Sequence, residues 1–471
     1  MVANTGGNNN VTQRVTGSYR DPAGHIYEQD GRIFRTITEI GKAQYEFVRD
    51  SGLLKKLNTS RQLIQSEEVP LETLNLDLSD VTYLIEHPRI PLISYPYEWP
   101  FSALKQAALF HLQFQKKLLN NNANLSDASA YNIQFQGSKP VFIDLLSLRP
   151  YQDGEFWLGH KQFCEQFLNP LLLYAYCGVP YNTYYKGRME GIPTEHISQL
   201  IPLRKKFSLR SLTHIVLPTW FQNKAQKNDA VTSSNSQRKL PQSALISMIT
   251  QLHRWIEGLE LPSGQVTTWD SYTTLSSYSS NEAKSKAELV SQFCSSVKPK
   301  QLLDLGCNDG AFAEVALDSG AEAVLGIDGD PHACNVAFER ARKLKLNLTV
   351  LQMNLADPSP AQGWMNMERL SAFERIQADG LVALAVIHHL AIGCNIPLEW
   401  IINWLIDTSA NGVIEFVDKK DPQVVRMLAS REDIFPNYTL EKFRDLIRNN
   451  ANIVKEVQVS EGRTLFWYKR S

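Results

Sequence analysis

From Gln301 onward, short apolar runs alternate with segments that place apolar residues at helical spacing. The runs QLLDLG, AEAVLGID, NLTVLQMN, DGLVALAVI and NGVIEFV, each followed by such a segment, predict a parallel α/β sheet. After them, NIVKEVQVS and RTLFWYKR, split by Glu461 and Gly462, predict an antiparallel hairpin at the sheet edge. Ahead of the sheet, ALISMITQLHRWIEGL and NEAKSKAELVSQFCSSV read as two helices, the second ending before Pro299. In Gln222 to Ser243 small and polar residues displace this periodicity, so the stretch predicts a linker or mobile loop. Upstream, HIYEQDGRIFRTI predicts a β-hairpin, AQYEFVRDSGLLKKL a helix, and YPYEWPFSALKQAALFHLQFQKKLL an aromatic turn followed by a long amphipathic helix. FWLGHKQFCEQFLNPLLLYAY adds a further, largely buried helical segment. The expected organisation is a disordered tail over 1–17, an α+β domain over 18–221, a linker over 222–243 and an α/β domain over 244–471.

Composition narrows the class. Hydrophobic residues make up 43% and charged residues 21%, and no apolar run approaches the ~20 residues of a membrane span, so a soluble globular protein with no membrane partner is expected. MVANTGGNNNVTQ has no basic segment followed by an apolar one, which argues against a secretory signal and for a cytoplasmic protein. Lys and Arg total 48 against 49 Asp and Glu, so no positive field draws the chain to nucleic acid, and small substrates are expected. Oligomeric state is not legible. Cys164, Cys177, Cys294, Cys307, Cys334 and Cys394 are scattered without C-x-x-C spacing, which disfavours structural zinc and disulfides and predicts reduced thiols.

The first apolar run of the α/β domain ends in LLDLGCNDGAF, a strand, a glycine turn and the start of a helix. Such a turn places backbone amides and a helix N-terminus where nucleotide-like ligands bind. Gly306 and Gly310, with Cys307, Asn308 and Asp309 between them, do not fit the G-x-G-x-x-G spacing of a dinucleotide site. Asp304 and Asp309 add negative charge, which suits an ammonium or sulfonium centre better than a pyrophosphate. These features point to S-adenosylmethionine. Asp328, ending VLGID, is the candidate for the ribose hydroxyls, with Asp330 as fallback. In LQMNLAD, Asn354 or Asp357 can bond the adenine amino group while Leu355 lies against the ring.

The motifs DLGCNDG, GIDGD, NLADP and ADGLVALAVIHHL resemble, in order, those of class I S-adenosylmethionine-dependent methyltransferases, over about Trp269 to Arg470. The resemblance implies a Rossmann-like fold in which Asp304, Gly306 and Gly310 form the methionine-side cradle, Asp328 the ribose acid, and Asn354 to Asp357 the adenine contact; Cys307 and Asn308, within the same turn, are further cofactor-binding candidates. HHLA stands where nucleic-acid base N-methyltransferases carry Asn or Asp followed by Pro-Pro-aromatic, which disfavours base methylation. His388 and His389 follow the fourth strand, and imidazole, with an unperturbed pKa of about 6.5, suits proton removal from an acceptor hydroxyl. Alternation lets at most one face the site. Glu415 and Asp418 are second choices as bases or as ligands of a substrate amine, and Trp269, Tyr272 and Tyr278 are candidates for a lid.

In the first half, DASAYNIQFQGSKPVFIDLL sets Asp127, Asn132 and Asp144 in the order used in phosphoryl transfer, where the first acid positions the acceptor and the other two hold metal. The segment resembles the catalytic and metal loops of protein-kinase-like and aminoglycoside-phosphotransferase-like folds, with Glu46 where such folds keep a glutamate and Arg35 as the nearby cation. No glycine-rich phosphate loop or V-A-x-K strand is present, Ser126 replaces the arginine of His-Arg-Asp, and DLL replaces Asp-Phe-Gly. A degenerate kinase-like domain is therefore expected, with no resident metal unless Asn132 and Asp144 take magnesium. Tyr95, Tyr97 and Trp99 read as interior anchors ahead of a ligand wall. With SYPYEW, DASAYNIQF, VFIDLLS and QFCEQFLNPLLL in front of this methyltransferase half, the whole chain resembles the two-part nodulation-protein NoeA-like methyltransferases. The expected activity is methyl transfer to a small-molecule, glycan or secondary-metabolite acceptor, to oxygen ahead of nitrogen. The alternative is a phosphotransferase or nucleotide sensor with the methyltransferase half as a cofactor-binding regulatory module.

Overall fold

The computed structural model describes residues 12–206, 208–216, 239–262, 280–429 and 431–470. Trp269, Tyr272 and Tyr278, the candidate lid, lie outside the described residues, as does most of the expected linker.

The N-terminal half opens with an antiparallel sheet of five strands, β1 (Gln13–Arg14), β2 (Ile26–Gln29), β3 (Arg32–Thr38), β4 (Glu67–Val69) and β5 (Val81–His87), in the order β1-β2-β3-β5-β4. Gln13 and Arg14 pair with Glu28 and Tyr27, so the ladder begins inside the segment expected to be a tail. Asp30 and Gly31, both at positive φ, make the tight β2–β3 turn. Helices α1 (Glu39–Asp50) and α2 (Leu53–Thr59) follow β3, and α1 buries Tyr45 and Val48 on its inner face. Next comes α3 (Phe101–Leu119), whose inner positions are apolar except for His111 and Gln115. His111 is 0% exposed and sits among Phe142, Trp157, Phe163 and Phe167, an aromatic box that holds the imidazole neutral by burial. Two short ladders, β6 (Ala123–Leu125) with β9 (Leu148–Pro150) and β7 (Ile133–Gln136) with β8 (Lys139–Phe142), frame the Asp127 to Asp144 segment. α4 (Asn169–Cys177) ends on Gly178 at φ 71, the left-handed conformation that glycine takes at least cost.

The C-terminal half begins with α5 (Gln242–Glu257), which packs along α3 and donates from Gln242 Nε2 to the Leu119 carbonyl at 2.9 Å. After α6 (Ser280–Val297) come β10 (Leu302–Leu305), α7 (Ala311–Asp318), β11 (Val324–Asp328), α8 (Pro331–Leu344), β12 (Leu348–Gln352), β13 (Gly380–Ala383), α9 (Leu398–Thr408), β14 (Asn411–Val417), α10 (Leu440–Asn450), β15 (Asn452–Ser460) and β16 (Arg463–Lys469). They build one sheet in the order β12-β11-β10-β13-β14-β16-β15. The first five strands are parallel, and β16 enters antiparallel between β14 and β15. Every residue of β10, β11 and β13 is buried, which explains why these strands read as continuous apolar runs rather than alternating ones. Asp330 caps α8 through the Ala333 amide at 2.8 Å, and Pro331 at the first helical position fixes its start. Among the described residues no helix is long and apolar enough to cross a membrane.

The halves meet along the connection from β12 to β13. Arg375 is 4% exposed and pairs with Glu98, itself 1% exposed, while its guanidinium lies 4.1 Å from the centre of the Tyr95 ring. Arg20 grips Glu368 through two bonds of 2.8 and 2.9 Å, and Phe338 of α8 meets Phe135 edge-on. Tyr95, Tyr97 and Trp99 are all under 5% exposed and are interior anchors: the Trp99 carbonyl accepts from Tyr181 and Asn182, and Trp99 Nε1 donates to Ser94.

Removing one member of the Glu98–Arg375 pair strands a buried charge, so Arg375→Met is expected to destabilise the full chain by about 3 kcal/mol in urea unfolding. The double variant Glu98→Gln/Arg375→Met is expected to recover part of that loss; additive losses would show that the two groups do not act as a pair.

Candidate functional site

The site of the C-terminal half forms where the carboxyl ends of β10, β11 and β12 come together, the position at which open α/β sheets bind ligands. The glycine turn leaves β10 with Gly306 at φ 74, Asn308 at φ 48 and Gly310 at φ 78. A Cβ on Gly306 would stand 3.2 Å from Val386, just past β13, on a backbone that L side chains rarely adopt. The amides of the turn are already engaged. Gly306 and Cys307 donate to the Ile327 carbonyl at 2.8 and 3.2 Å, Asn308 to Asp328 Oδ2 at 2.9 Å, and Gly310 to the Cys307 carbonyl at 2.9 Å. Ala311 donates to Asp309 Oδ1 at 3.2 Å. A pyrophosphate would have to displace these bonds, which agrees with the departure from dinucleotide spacing.

Negative charge here is sorted by its partners. Asp309, counted with Asp304 as the charge of the turn, pairs with Arg340 of α8 at 2.7 Å, and Arg340 also holds Glu314 at 2.8 Å. Its charge is therefore balanced within the protein. Asp328 accepts the Asn308 amide on one oxygen and the Asp330 amide on the other at 2.8 Å, while burial raises its pKa. Asp304 differs: it is 3% exposed, its Oδ2 accepts no hydrogen bond among the described residues, and burial together with Asp328 and Asp309 pushes its pKa up to about 7. A buried, unpaired carboxylate of this kind favours a cationic ligand beside it.

The remaining candidates fall into two groups. Cys307 turns inward, its Sγ packed where a Cβ on Gly326 would come within 2.9 Å, so only its backbone belongs to the turn. Asp330 spends one oxygen on the α8 cap. Past β12, Asn354 Oδ1 accepts the Ala356 amide at 2.9 Å, leaving Asp357 as the residue of the pair with an uncommitted carboxylate oxygen. Leu355 is half-buried between them.

The two histidines lie with the ends of β14 and β16. His388 and His389 have ring centres 4.2 Å apart, just beyond β13, with Arg463 acting on both. His388 is fully buried, and burial, with His389, Arg463 and Lys286 adding, drives its pKa well below the ordinary value. His389 is half-buried and is lowered to about 4 by burial and then by Arg463. Glu415 is not available as a base: it is fully buried and held by Lys286 at 2.8 Å and Arg463 at 3.4 Å, with Asp421 on the far side of Arg463 at 2.8 Å. Asp418 closes a local turn onto the Lys420 amide.

In the N-terminal half the structure brings Asp127, Asn132, Asp144 and Arg35 together. Asn132 Nδ2 bridges Asp127 at 3.1 and 3.2 Å and Asp144 at 3.5 Å, and the Arg35 guanidinium lies 3.1 Å from Asp144. Arg35 is on β3. Glu46 on α1 accepts from Tyr83 at 2.6 Å. Burial and Asp144 raise Asp127 to about 7, and burial raises Asp144 against the opposing effect of Arg35. Among the described residues no group of three or more His, Cys, Asp or Glu is arranged to hold a metal ion. The carboxylates of Asp127 and Asp144, already bonded to Asn132, would leave the rest of a magnesium shell to phosphates and water.

Two contacts of the candidate site had no local sequence signal. Arg340 neutralises Asp309 from 31 residues away, and Lys186 reaches Asp357 across 171 residues.

A parallel sheet in which the seventh strand is inserted antiparallel between the fifth and sixth, with a glycine turn after its first strand, defines a class I methyltransferase fold. The chain belongs to the family of nodulation protein NoeA: it is 40% identical over 460 residues to nodulation protein NoeA of Rhizobium meliloti (strain 1021), covering 97% of this chain and 96% of that protein. No protein-family profile matches it. Among solved structures, WbdD is 17% identical with a TM-score of 0.31 over 40% of this chain and 40% of WbdD. The N-methyltransferase NodS from Bradyrhizobium japonicum WM9 is 16% identical with a TM-score of 0.30, over 41% of this chain and 97% of NodS. Magnesium protoporphyrin IX methyltransferase ChlM from Synechocystis PCC 6803, solved with bound S-adenosylhomocysteine, is 17% identical with a TM-score of 0.30, over 47% of this chain and 95% of ChlM. Likenesses of that size add no weight; the fold rests on strand order and the family on NoeA.

The raised Asp304 predicts a stability profile. A carboxyl whose folded pKa lies above its unfolded value stabilises the fold below about pH 4 and loses that contribution as pH rises through about 7. Asp304→Asn is therefore expected to unfold at higher temperature than the ligand-free wild type at pH 8, by ~1–3 kcal/mol, and to show little difference at pH 4. Equal melting shifts at both pH values would contradict the assignment.

Proposed function

We propose that the C-terminal half binds S-adenosylmethionine and transfers its methyl group to a small-molecule, glycan or secondary-metabolite acceptor, oxygen ahead of nitrogen. The observation that carries this reading is the buried Asp304 carboxylate, whose Oδ2 has no hydrogen-bond partner among the described residues, beside the glycine turn. When bound, S-adenosylmethionine supplies an electrophilic methyl group on a sulfonium. The chain would hold it through Asp304 and the backbone carbonyls of the Gly306 to Gly310 turn on the methionine side, Asp328 on the ribose, and Leu355 with Asp357 on the adenine. The protein's remaining task is to align an acceptor and take its proton.

Of the two histidines, His389 is assigned that proton, because His388 is sealed in the core beside Lys286 and Arg463. With its pKa lowered to about 4, His389 is neutral at pH 7 and a weaker base than a free imidazole. His389→Ala is expected to lower turnover by about 10²–10⁴ while leaving S-adenosylhomocysteine binding unchanged. Conversion of S-adenosylmethionine to S-adenosylhomocysteine in the presence of glycan and small-molecule acceptors, and loss of cofactor binding in Gly306→Val, test the reading as a whole. Wild-type chain that shows no binding of either compound by calorimetry rules it out.

A second reading, nucleotide binding or phosphoryl transfer in the N-terminal half, draws on the convergence of Asp127, Asn132 and Asp144. Arg35 already neutralises Asp144, so a bound magnesium would need nucleotide phosphates and water to complete its shell. Titration of the full chain with ATP and magnesium separates a surviving site, abolished in Asp144→Asn, from a scaffold that releases no heat.

A further inference from the structure

We propose that Lys186, from the N-terminal half, is a positioning residue of the methyl-donor site, holding Asp357 and with it the adenine-contacting segment Asn354 to Asp357. This rests on the reading of the C-terminal half given above. Lys186 Nζ donates to Asp357 Oδ2 at 2.9 Å and lies 3.4 Å from the Asp357 carbonyl oxygen, so both the carboxylate and the backbone of that residue are engaged. The other oxygen of Asp357 is left to accept from an exocyclic amine.

An ion pair with one partner 76% exposed is ordinarily worth little, because two long side chains lose freedom to form it. Here the lysine is fixed in advance. It ends the short helix Asn182–Lys186, in which Tyr185 is fully buried and Asn182 Nδ2 donates to the carbonyls of Tyr97 and Trp99 at 3.0 and 2.9 Å. The Tyr181 hydroxyl, one residue before the helix, donates to the same Trp99 carbonyl at 2.7 Å. From the opposite side Gln362 Nε2 donates to the Lys186 carbonyl, so the C-terminal half also grips the lysine's backbone. With its backbone held at both ends and its side chain 25% exposed, Lys186 has little entropy left to lose.

The adenine segment is the loop that leaves β12, and the charge that steadies it comes from the other half of the chain. The N-terminal half is on this account part of the donor site.

The test uses full-length protein and two ligands, S-adenosylhomocysteine and S-inosylhomocysteine, which lacks the adenine amino group. Wild type is expected to prefer the adenosyl compound, and Lys186→Ala to weaken its binding about threefold to fivefold while leaving the inosyl compound unchanged. Lys186→Arg is expected to restore most of the preference. Arg20→Ala, which removes the Glu368 pair farther along the same connection, is expected to leave both constants unchanged. If Lys186→Ala discriminates between the ligands as wild type does, or if Arg20→Ala loses as much, the positioning role is overturned. If wild type binds neither ligand, the methyl-donor reading itself fails, a result distinct from either.

Discussion

The two halves depend on one costly interaction, the Glu98–Arg375 pair. Each ion gives up several kcal/mol of hydration on burial, which Coulomb attraction repays only when every remaining donor and acceptor is met. Here they are met. Glu98 also accepts the Tyr95 amide at 2.9 Å, and Arg375 also donates to the Ile93 carbonyl at 2.5 Å while stacking on Tyr95. Each half alone would carry an unbalanced charge on its surface. Because Arg375 lies in the β12–β13 connection, docking the halves shapes the segment that runs from the candidate adenine loop to the strand preceding the histidines.

That connection is a meeting place for much of the molecule. Along it, Asp357 goes to Lys186, Glu368 to Arg20, and Arg369 lies 4.5 Å from the Tyr131 ring, which immediately precedes Asn132. Thr16, in the loop between β1 and β2, donates to the Met367 carbonyl at 2.5 Å. The connection between β1 and β2 is thus used for a contact with the C-terminal half.

The strands of the C-terminal sheet were legible because buried parallel strands must be apolar throughout, and LLDL, VLGID and GLVA announce themselves. The glycine turn was legible for a different reason: Gly306 and Gly310 occupy conformations that few other residues accept. What stayed hidden is pairing at a distance. Nothing near Asp309 in sequence indicates that Arg340 cancels its charge, and nothing near Glu415 reveals Lys286, 129 residues earlier. Glu415 looked like an accessible base because strand ends often carry catalytic acids, yet two buried cations hold it. The Asp127, Asn132 and Asp144 series was readable as an order, whereas the direct contact of Arg35 with Asp144 is a property of the folded sheet alone.

The two candidate sites can be compared through one quantity. In each, burial pushes a carboxyl to a pKa of about 7, Asp304 in the C-terminal half and Asp127 in the N-terminal half, with a second acid beside it. In the N-terminal half the protein answers with its own cation, Arg35 on Asp144, and with the Asn132 amide bridging both acids. Asp144 Oδ1 faces the Arg35 guanidinium at 3.1 Å, although neither it nor Arg35 Nε has a hydrogen-bond partner among the described residues. Around Asp304 the nearby acids are instead satisfied individually, Asp309 by Arg340 and Asp328 by two backbone amides, and Asp304 keeps an oxygen with no partner among the described residues. A fold gains nothing in stability from leaving a buried carboxylate unpaired. Its position beside the glycine turn suits a positively charged ligand, which supports the proposed methyl-donor reading of the C-terminal half.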